Sequence, residues 1–60
     1  MILLTTVHNE QFVLNYEKIL RMDQQADTIV KCTSGQTYRV KETVEDIISK
    51  VIKFKREILL

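Results

Sequence analysis

Residues 43–58 read Thr-Val-Glu-Asp-Ile-Ile-Ser-Lys-Val-Ile-Lys-Phe-Lys-Arg-Glu-Ile, and this stretch decides the fold class. Its apolar residues recur every three or four positions, which is the period of one face of an α-helix. Thr43 can cap the helix start, and acidic side chains follow in the first turn. Lys53, Lys55 and Arg56 suit the negative end of the helix dipole. The segment therefore predicts an amphipathic C-terminal helix over residues 43–58.

The apolar surface of this helix is wider than a small sheet needs. One stripe contains Val44, Ile47, Val51, Phe54 and Ile58, and a second stripe beside it contains Ile48, Ile52 and Leu59. Together the stripes span roughly 160°, whereas packing on one sheet face needs about 100°. Lys55 falls inside this arc. We expect the aliphatic part of its side chain to lie along the edge of the apolar surface, with its ammonium group in water. This excess of apolar surface favours a protein partner that covers it. The competing interpretation is that the core within the chain covers the whole arc. The residues predicted to carry packing and assembly are Val44, Ile47, Ile48, Val51, Ile52 and Phe54.

Upstream of the helix, the apolar residues alternate with the two-residue period of β-strands. Ile2 and Leu4 share one face, and Phe12 and Leu14 alternate again after a polar break. Asn9 tolerates the left-handed conformation that a tight hairpin needs. A three-residue loop that ends at Asn9 pairs Leu4 with Phe12 and Ile2 with Leu14, which keeps the large apolar groups on one face.

A second hairpin is predicted around the only glycine of the chain. Gly35 stands where a hairpin turn needs a positive φ. A three-residue loop that ends at Gly35 pairs Cys32 with Gln36 and Val30 with Tyr38. The two hairpins correspond at an offset of 26 positions, as Leu4 with Val30 and Asn9 with Gly35 illustrate. We interpret this as two similar hairpins.

Between the hairpins, residues 18–22 have β character with Leu20 and Met22 on one side, or residues 17–21 form a short helical turn. Residues 24–27 form a polar connection. The predicted fold is α+β: a small antiparallel sheet of two hairpins, with four or five strands, followed by one amphipathic helix. Residues 1–60 form a single domain, with the sheet in residues 1–41.

Composition narrows the possible functions. The chain has 60 residues, one cysteine, one histidine, no proline and a formal net charge of +1. A core of this size is marginal without disulfides, metals or partners, and one Cys with one His supplies neither a disulfide nor a four-ligand zinc site. The near-neutral charge argues against a general nucleic-acid binder. We expect a cytoplasmic chain without signal peptide or membrane insertion, because no apolar run approaches ~20 residues. Oligomerisation or docking on another protein is therefore favoured.

The sequence contains no catalytic constellation, so we expect a non-enzymatic protein without cofactor, metal or catalytic residues. His8 is predicted to be a solvated turn residue, with a contact or weak ligand as the alternative. Cys32 alternates with apolar neighbours and is predicted to be a small buried hydrophobe. Glu45 and Asp46 are adjacent, so on a helix they interact with the dipole rather than with each other.

Lys31, Arg39 and Lys41 form the most suggestive polar cluster, on the sheet face opposite the apolar residues. They are interpreted as a solvated face, a protein contact or a nucleic-acid contact. A nucleic-acid platform usually adds stacking aromatics, whereas Phe12 and Tyr38 are expected on the core face. The alternative function is a small RNA-binding regulator that uses this basic face, broadly like the carbon-storage regulators.

Several short motifs carry a resemblance to a known family. They are Met1-Ile2-x-Leu4-Thr5, Phe12-Val13-Leu14-Asn15, Asp27-Thr28, Ser34-Gly35, Tyr38-x-Val40-x-Glu42-Thr43 and Phe54-Lys55-Arg56. In order and spacing, from residue 1 to about 57, the chain resembles the FlbD-like flagellar proteins, a family that includes the swarming motility protein SwrD. It departs from the family pattern at His8-Asn9, where Asn-Gly is typical, and at Ala26, where proline is common.

The resemblance implies a non-enzymatic cytoplasmic factor of flagellar motility. In the SwrD branch it implies support of motor power, through the stator, from a position peripheral to the motor. The implied partners are flagellar motor or stator proteins or other flagellar proteins, and the chain is expected to bind them as a homo-oligomer. No catalytic residue is carried over from the family, because the matched motifs are structural.

Overall fold

The computed structural model describes the backbone of residues 1–59 and the side chains of residues 1–57. Within this described part, five β-strands precede one α-helix. The strands are β1 (Ile2–Thr5), β2 (Gln11–Leu14), β3 (Ile19–Gln24), β4 (Thr28–Cys32) and β5 (Thr37–Val40), a 3₁₀ turn covers Tyr16–Lys18, and the helix is α1 (Val44–Leu59). The predicted α+β class with a C-terminal helix is confirmed.

The first hairpin has the predicted register. In the antiparallel pair of β1 and β2, Ile2 lies opposite Leu14 and Leu4 lies opposite Phe12. Asn9 ends the turn with a φ of 66°. Asn accepts this left-handed conformation more readily than most residues because its short polar side chain can bond locally. The inner face of the hairpin therefore carries the large apolar side chains.

The second hairpin also has the predicted register. Val30 of β4 lies opposite Tyr38 of β5. The Cys32 N–H donates to the Gln36 carbonyl at 2.8 Å. Gly35 has a φ of 91°, a conformation that an L side chain rarely adopts. The only glycine of the chain is thus used where the backbone requires it.

The turns of the two hairpins are closed by equivalent hydrogen bonds. In the first turn, the Thr6 N–H donates to the Glu10 carbonyl at 2.8 Å and the Asn9 N–H to the Thr6 carbonyl at 2.9 Å. The second turn repeats both bonds 26 positions later, at 2.8 and 2.9 Å, with Gly35 in the place of Asn9. This equivalence confirms the interpretation of two similar hairpins.

Strand β3 is irregular at Leu20. Ile19 lies opposite Cys32, but Arg21 lies opposite the residue just before Cys32, so Leu20 is an extra residue in a β-bulge. The prediction that Leu20 and Met22 share one side is wrong, because the bulge shifts the alternation by one residue. Leu20 is 64% exposed, whereas Met22 packs against the core. The strand alternative holds from Ile19 onward, and the short helical turn lies at Tyr16–Lys18 rather than over residues 17–21.

The strands form two sheets rather than the one sheet that was predicted. Their orders are β1-β2 and β3-β4-β5. An isolated bridge between Thr6 and Val40 connects them, and the Lys41 N–H donates to the Thr5 carbonyl at 2.8 Å. The end of β1 thereby meets the end of β5, and the two hairpins enclose one core.

The core lies between the inner faces of both hairpins and one side of α1. Its buried apolar residues are Ile2, Leu4, Val30, Cys32, Val40 and Ile47. The burial of Cys32 confirms its prediction as a small buried hydrophobe. Ile47 is fully buried and is the helix residue that closes this core.

The helix start is capped and tied to β3. The Thr43 hydroxyl accepts the Asp46 N–H at 3.1 Å, and the Asp46 carboxylate accepts the Thr43 N–H at 3.2 Å. This reciprocal pair satisfies two backbone groups, as a capping box does. The Gln24 Oε1 atom accepts the Val44 N–H at 3.0 Å and the Thr28 hydroxyl at 3.3 Å. These bonds set where α1 begins relative to the three-stranded sheet.

Glu42 links the loop before α1 to β1. Its Oε1 atom accepts the Thr5 N–H at 2.8 Å. Burial acts to raise the pKa of Glu42, but hydrogen bonds from the Thr5 backbone, the Glu42 backbone and the Thr5 side chain, with the charge of Lys50, together lower it below its ordinary value. The ionised carboxylate is therefore the form that the fold stabilises.

Candidate protein-binding groove

The two apolar stripes of α1 lie in different environments. Ile47 is fully buried, and Val51 is half-buried against the core. Val44 and Phe54 are half-buried as well. The second stripe remains open, because Ile48 and Ile52 are each 47% exposed. The predicted packing and assembly set therefore divides into buried or half-buried residues and a pair that faces solvent. The side chains of Ile58 and Leu59, also in the stripes, lie outside the described part.

The exposed pair borders an apolar groove between α1 and the 3₁₀ turn with the β3 strand that follows it. The groove has a volume of about 280 Å³. Its lining residues are Tyr16, Ile19, Met22, Ile47, Ile48, Val51 and Ile52. Since the Tyr16 hydroxyl is the only polar side-chain group in this lining, the groove suits apolar side chains of a partner.

Aromatic and cationic contacts shape one end of the groove. The ring of Tyr16 meets the ring of Phe54 edge to face, with 5.6 Å between the centroids. The Lys55 ammonium lies 5.6 Å from the centroid of the Tyr16 ring, within the range of a cation–π contact. Lys55 thus sits at the margin of the apolar surface with its charge accessible, as the helical arc predicted.

The three predicted basic residues have different surroundings. Lys31 and Arg39 are exposed on the outer face of the three-stranded sheet, and Arg39 pairs with Asp27 at 3.7 Å. Lys41 is also exposed, but its ammonium donates to the Asn9 side chain at the first turn. Two of these three basic side chains, Arg39 and Lys41, therefore already interact with groups of the same chain.

Sequence reasoning missed a fourth basic residue on the outer face. Arg21 lies opposite Lys31 because the bulge at Leu20 moves it out of the alternation that Ile19 begins. It pairs with Asp23 at 3.1 Å. The outer face thus mixes basic and acidic groups, which differs from the purely basic surface that Lys31, Arg39 and Lys41 suggested.

A second exposed apolar area lies on the outer face of the first hairpin. Leu3 and Val13 are directly opposite each other and are 45% and 63% exposed, and Met1 beside them is 55% exposed. Sequence reasoning assigned these positions no role, because they alternate away from the core. The available signal was that both outward positions of the pair are apolar.

The remaining candidate residues do not form a site within the described part. His8 lies exposed in the first turn, in agreement with its prediction as a solvated turn residue. Among residues 1–57, no three His, Cys, Asp or Glu side chains are grouped as metal ligands. Within residues 1–59, no helix has the length and apolar character that a membrane crossing requires.

Comparison with known proteins produced one match. The model of the FlbD family, described as flagellar and swarming motility proteins, matches residues 1–59. Searches of the curated proteins and of the solved structures found no match. The family match covers both hairpins, the groove and the described length of α1.

Proposed function

Because the chain belongs to the FlbD family of flagellar and swarming motility proteins, we propose that it supports the power of the flagellar motor, through the stator, by binding proteins. The family establishes the role in flagellar and swarming motility. The finer proposal is that the chain acts in the cytoplasm, peripheral to the motor, as a homo-oligomer and without catalysing a reaction.

The observation that carries the binding role is the exposed pair Ile48 and Ile52 beside the apolar groove. Each isoleucine is 47% exposed to water, at a helix position where a polar residue would also fit. Covering apolar surface is favourable by about 25 cal/mol per Å². A 60-residue chain without a disulfide gains proportionately more from such cover than a large domain. The surface therefore supports assembly with another protein chain.

The composition of the groove supports binding rather than catalysis. Apart from the hydroxyl of Tyr16, its lining is aliphatic and aromatic, with neither a carboxylate nor an imidazole. A catalytic nucleophile or proton donor is usually activated by an adjacent base or charged group, and this lining places no such group beside Tyr16. An apolar ridge of a partner is the occupant that such a lining fits.

The first experiment measures mass in solution. We expect the purified protein at micromolar concentration to sediment as a multiple of its 7.1 kDa chain. Ile52→Asp should reduce the mass to that of one chain, because a charge is then buried without a partner. Ser49→Asp introduces the same carboxylate at an exposed position nearby and should leave the mass unchanged. A monomeric wild type with a cooperative melt contradicts the homo-oligomer.

The second experiment tests motor power in cells. A deletion strain should assemble filaments of normal number and length but swim and swarm slowly. Wild-type protein and the Ser49→Asp variant should restore speed, whereas Ile52→Asp should not. Missing or shortened filaments in the deletion strain would instead indicate a role in assembly, and the motor-power proposal would be wrong.

The RNA-binding alternative relies on the outer sheet face. The rings of Phe12 and Tyr38 contact each other at a tilt of 30°, with 4.9 Å between their centroids. Both pack against the core rather than offering a platform for bases. Arg21 and Arg39 already have carboxylate partners. We therefore expect no retardation of structured RNA at low salt. A salt-steep affinity that falls in the Lys31→Ala/Arg39→Ala variant would favour RNA binding instead.

A further inference from the structure

The exposed side of α1 carries a row of four residues whose two ends have opposite charges. Glu45, Ile48, Ile52 and Lys55 are spaced by three, four and three positions, so they follow one line along the helix. All four are exposed. An acidic group stands at one end, a basic group at the other, and two isoleucines lie between them. When a second copy is laid beside the row in the opposite direction, its isoleucines face isoleucines and each acidic end faces a basic end.

We propose that a second copy of this chain covers the groove by packing its α1 antiparallel to the first, about a two-fold axis midway between Ile48 and Ile52. This proposal rests on the homo-oligomer of the proposed function and specifies its geometry. Ile48 of each copy then faces Ile52 of the other, and Glu45 of each copy faces Lys55 of the other. A parallel arrangement would instead place equal charges side by side.

The charge pattern favours a second copy over an unrelated occupant. In a two-fold interface the same patch is used by both chains, so every contact occurs twice and the patch must be complementary to itself. Glu45 and Lys55 are ten positions apart, about 15 Å along the helix, and are equidistant from the centre of the isoleucine pair. In its order of charged and apolar residues the row is therefore complementary to itself.

The groove lies directly beside the ridge on which a second helix would pack. Helices pack at about 8–10 Å between axes when the ridge of one enters the groove of the other. The ridge of Ile48 and Ile52 adjoins the groove that Tyr16, Ile19 and Met22 line from the opposite side. Lys55, held over the ring of Tyr16, already stands at the end of this groove.

The other flank of α1 stays free in this arrangement. Lys50 and Lys53 lie on that flank, beside Leu3 of the first hairpin. The exposed apolar area of Leu3 and Val13 would therefore remain accessible in the dimer. A dimer through the groove thus leaves a separate surface on each copy for a partner at the motor.

A charge-exchange series measured by sedimentation equilibrium tests the orientation. Glu45→Lys and Lys55→Glu should each weaken the dimer about tenfold, because each change puts two like-charge contacts into the two-fold interface. The double variant keeps the net charge of the chain and should return the dissociation constant to within about threefold of wild type. Glu57→Lys and Lys53→Glu make the same net-charge changes on the exposed polar side and should have little effect.

Disulfide trapping provides a readout independent of charge. In a Cys32→Ala background, chains with Ile48→Cys and chains with Ile52→Cys are oxidised separately and as a mixture. Antiparallel pairing predicts a covalent dimer only in the mixture, since identical positions are about 6 Å apart along the axis in addition to their lateral separation. Parallel pairing predicts covalent dimers in each separate sample.

The outcomes separate this geometry from the proposed function. A stable wild-type dimer whose double charge variant stays as weak as the single variants, or whose single-cysteine chains cross-link with themselves, overturns the antiparallel pairing and leaves the homo-oligomer intact. A wild type that is monomeric at 100 μM overturns both the pairing and the oligomer, while the motility experiment still tests the role at the motor.

Discussion

The hairpin of β1 and β2 and the hairpin of β4 and β5 close their turns with equivalent hydrogen bonds but differ in their outer faces. The first shows the apolar pair Leu3 and Val13, and the second shows the charged Lys31 and Arg39. Their inner faces are alike, since Leu4 and Val30 are both fully buried. The turn residues and the need to bury apolar side chains determine the inner face of each hairpin. The outer face is not constrained in this way and can differ between the two hairpins.

The two hairpins also differ in how they are supported. β4 is flanked on both sides, by β3 and by β5. The first hairpin has only two strands and depends on its bridge from Thr6 to Val40 and on the hydrogen bond from Thr5 to Glu42. Because an isolated two-stranded hairpin is marginally stable in water, these links and the core make the first hairpin stable.

The largest expected effect comes from the inner face of the first hairpin. Leu4→Ala should lower the free energy of unfolding by about 2–5 kcal/mol, because it leaves a cavity in a core of few residues. Small domains have total stabilities of only about 5–15 kcal/mol or less, so a large fraction of the variant molecules should be unfolded at 37 °C. Urea titration followed by circular dichroism measures the change.

Leu3→Ala provides the matched control for this cavity. It removes the same atoms one position away, from a side chain that is 45% exposed. We expect a change within about 1 kcal/mol, since surface substitutions seldom cost more. Equal losses for the two variants would show that the inner and outer faces of the first hairpin do not differ as described.

The two turns should respond differently to alanine. Gly35→Ala should cost about 1–2 kcal/mol, because its φ of 91° is unfavourable for any L side chain, although no atom lies within 4 Å of an added Cβ. Asn9→Ala should cost less, since Asn9 already carries a side chain at a φ of 66°. Thermal melts of both variants test this order. A smaller loss for Gly35→Ala than for Asn9→Ala would contradict the claim that the backbone at Gly35 tolerates a side chain less well than the backbone at Asn9.

The smallest expected effect concerns the link at Glu42 and depends on pH. Its pKa is lowered in the folded chain, so the stabilisation is fully present above its ordinary value of 4.5 and is lost as the pH falls below it. Glu42→Gln should therefore reduce stability by at most about 1 kcal/mol at pH 7 and have less effect at pH 3. Urea titrations at both pH values measure the difference.

Glu57→Gln is the control for general acid effects, because Glu57 is exposed near the other end of α1. It should show no comparable difference between the two pH values. A Glu42→Gln loss that is the same at pH 3 and pH 7 would mean that the charge of Glu42 does not stabilise the joint between the hairpins.

Much of the fold could be predicted because short-range rules determine it. The hairpin registers follow from Asn9 and Gly35 with the alternation around them, and the helix follows from the three- and four-residue spacing after Thr43. The bulge at Leu20 has no such signal, because a strand with an extra residue reads like any other alternating segment. The exposure of Leu20 could not be predicted for the same reason, because regular alternation would have placed it on the same side as Met22.

The candidate site was predicted in part. The width of the apolar arc on α1 indicated an excess, but periodicity cannot divide the arc between core and surface. That division depends on where the sheets lie, since Ile47 is fully buried in the core whereas Ile48, one position on, is 47% exposed. The exposed outer pair of Leu3 and Val13 was missed because both alternate away from the predicted core.

The sequence by itself determined the local elements, the two turns and the amphipathic helix, because each depends on backbone conformation and on residues a few positions apart. Only the tertiary structure decided how the hairpins join, where β3 bulges and which isoleucines of α1 stay in water, because those outcomes depend on contacts between segments far apart in the chain. The hydrogen bond from Thr5 to Glu42 spans 37 positions. No pattern within a single segment encodes a contact of that range.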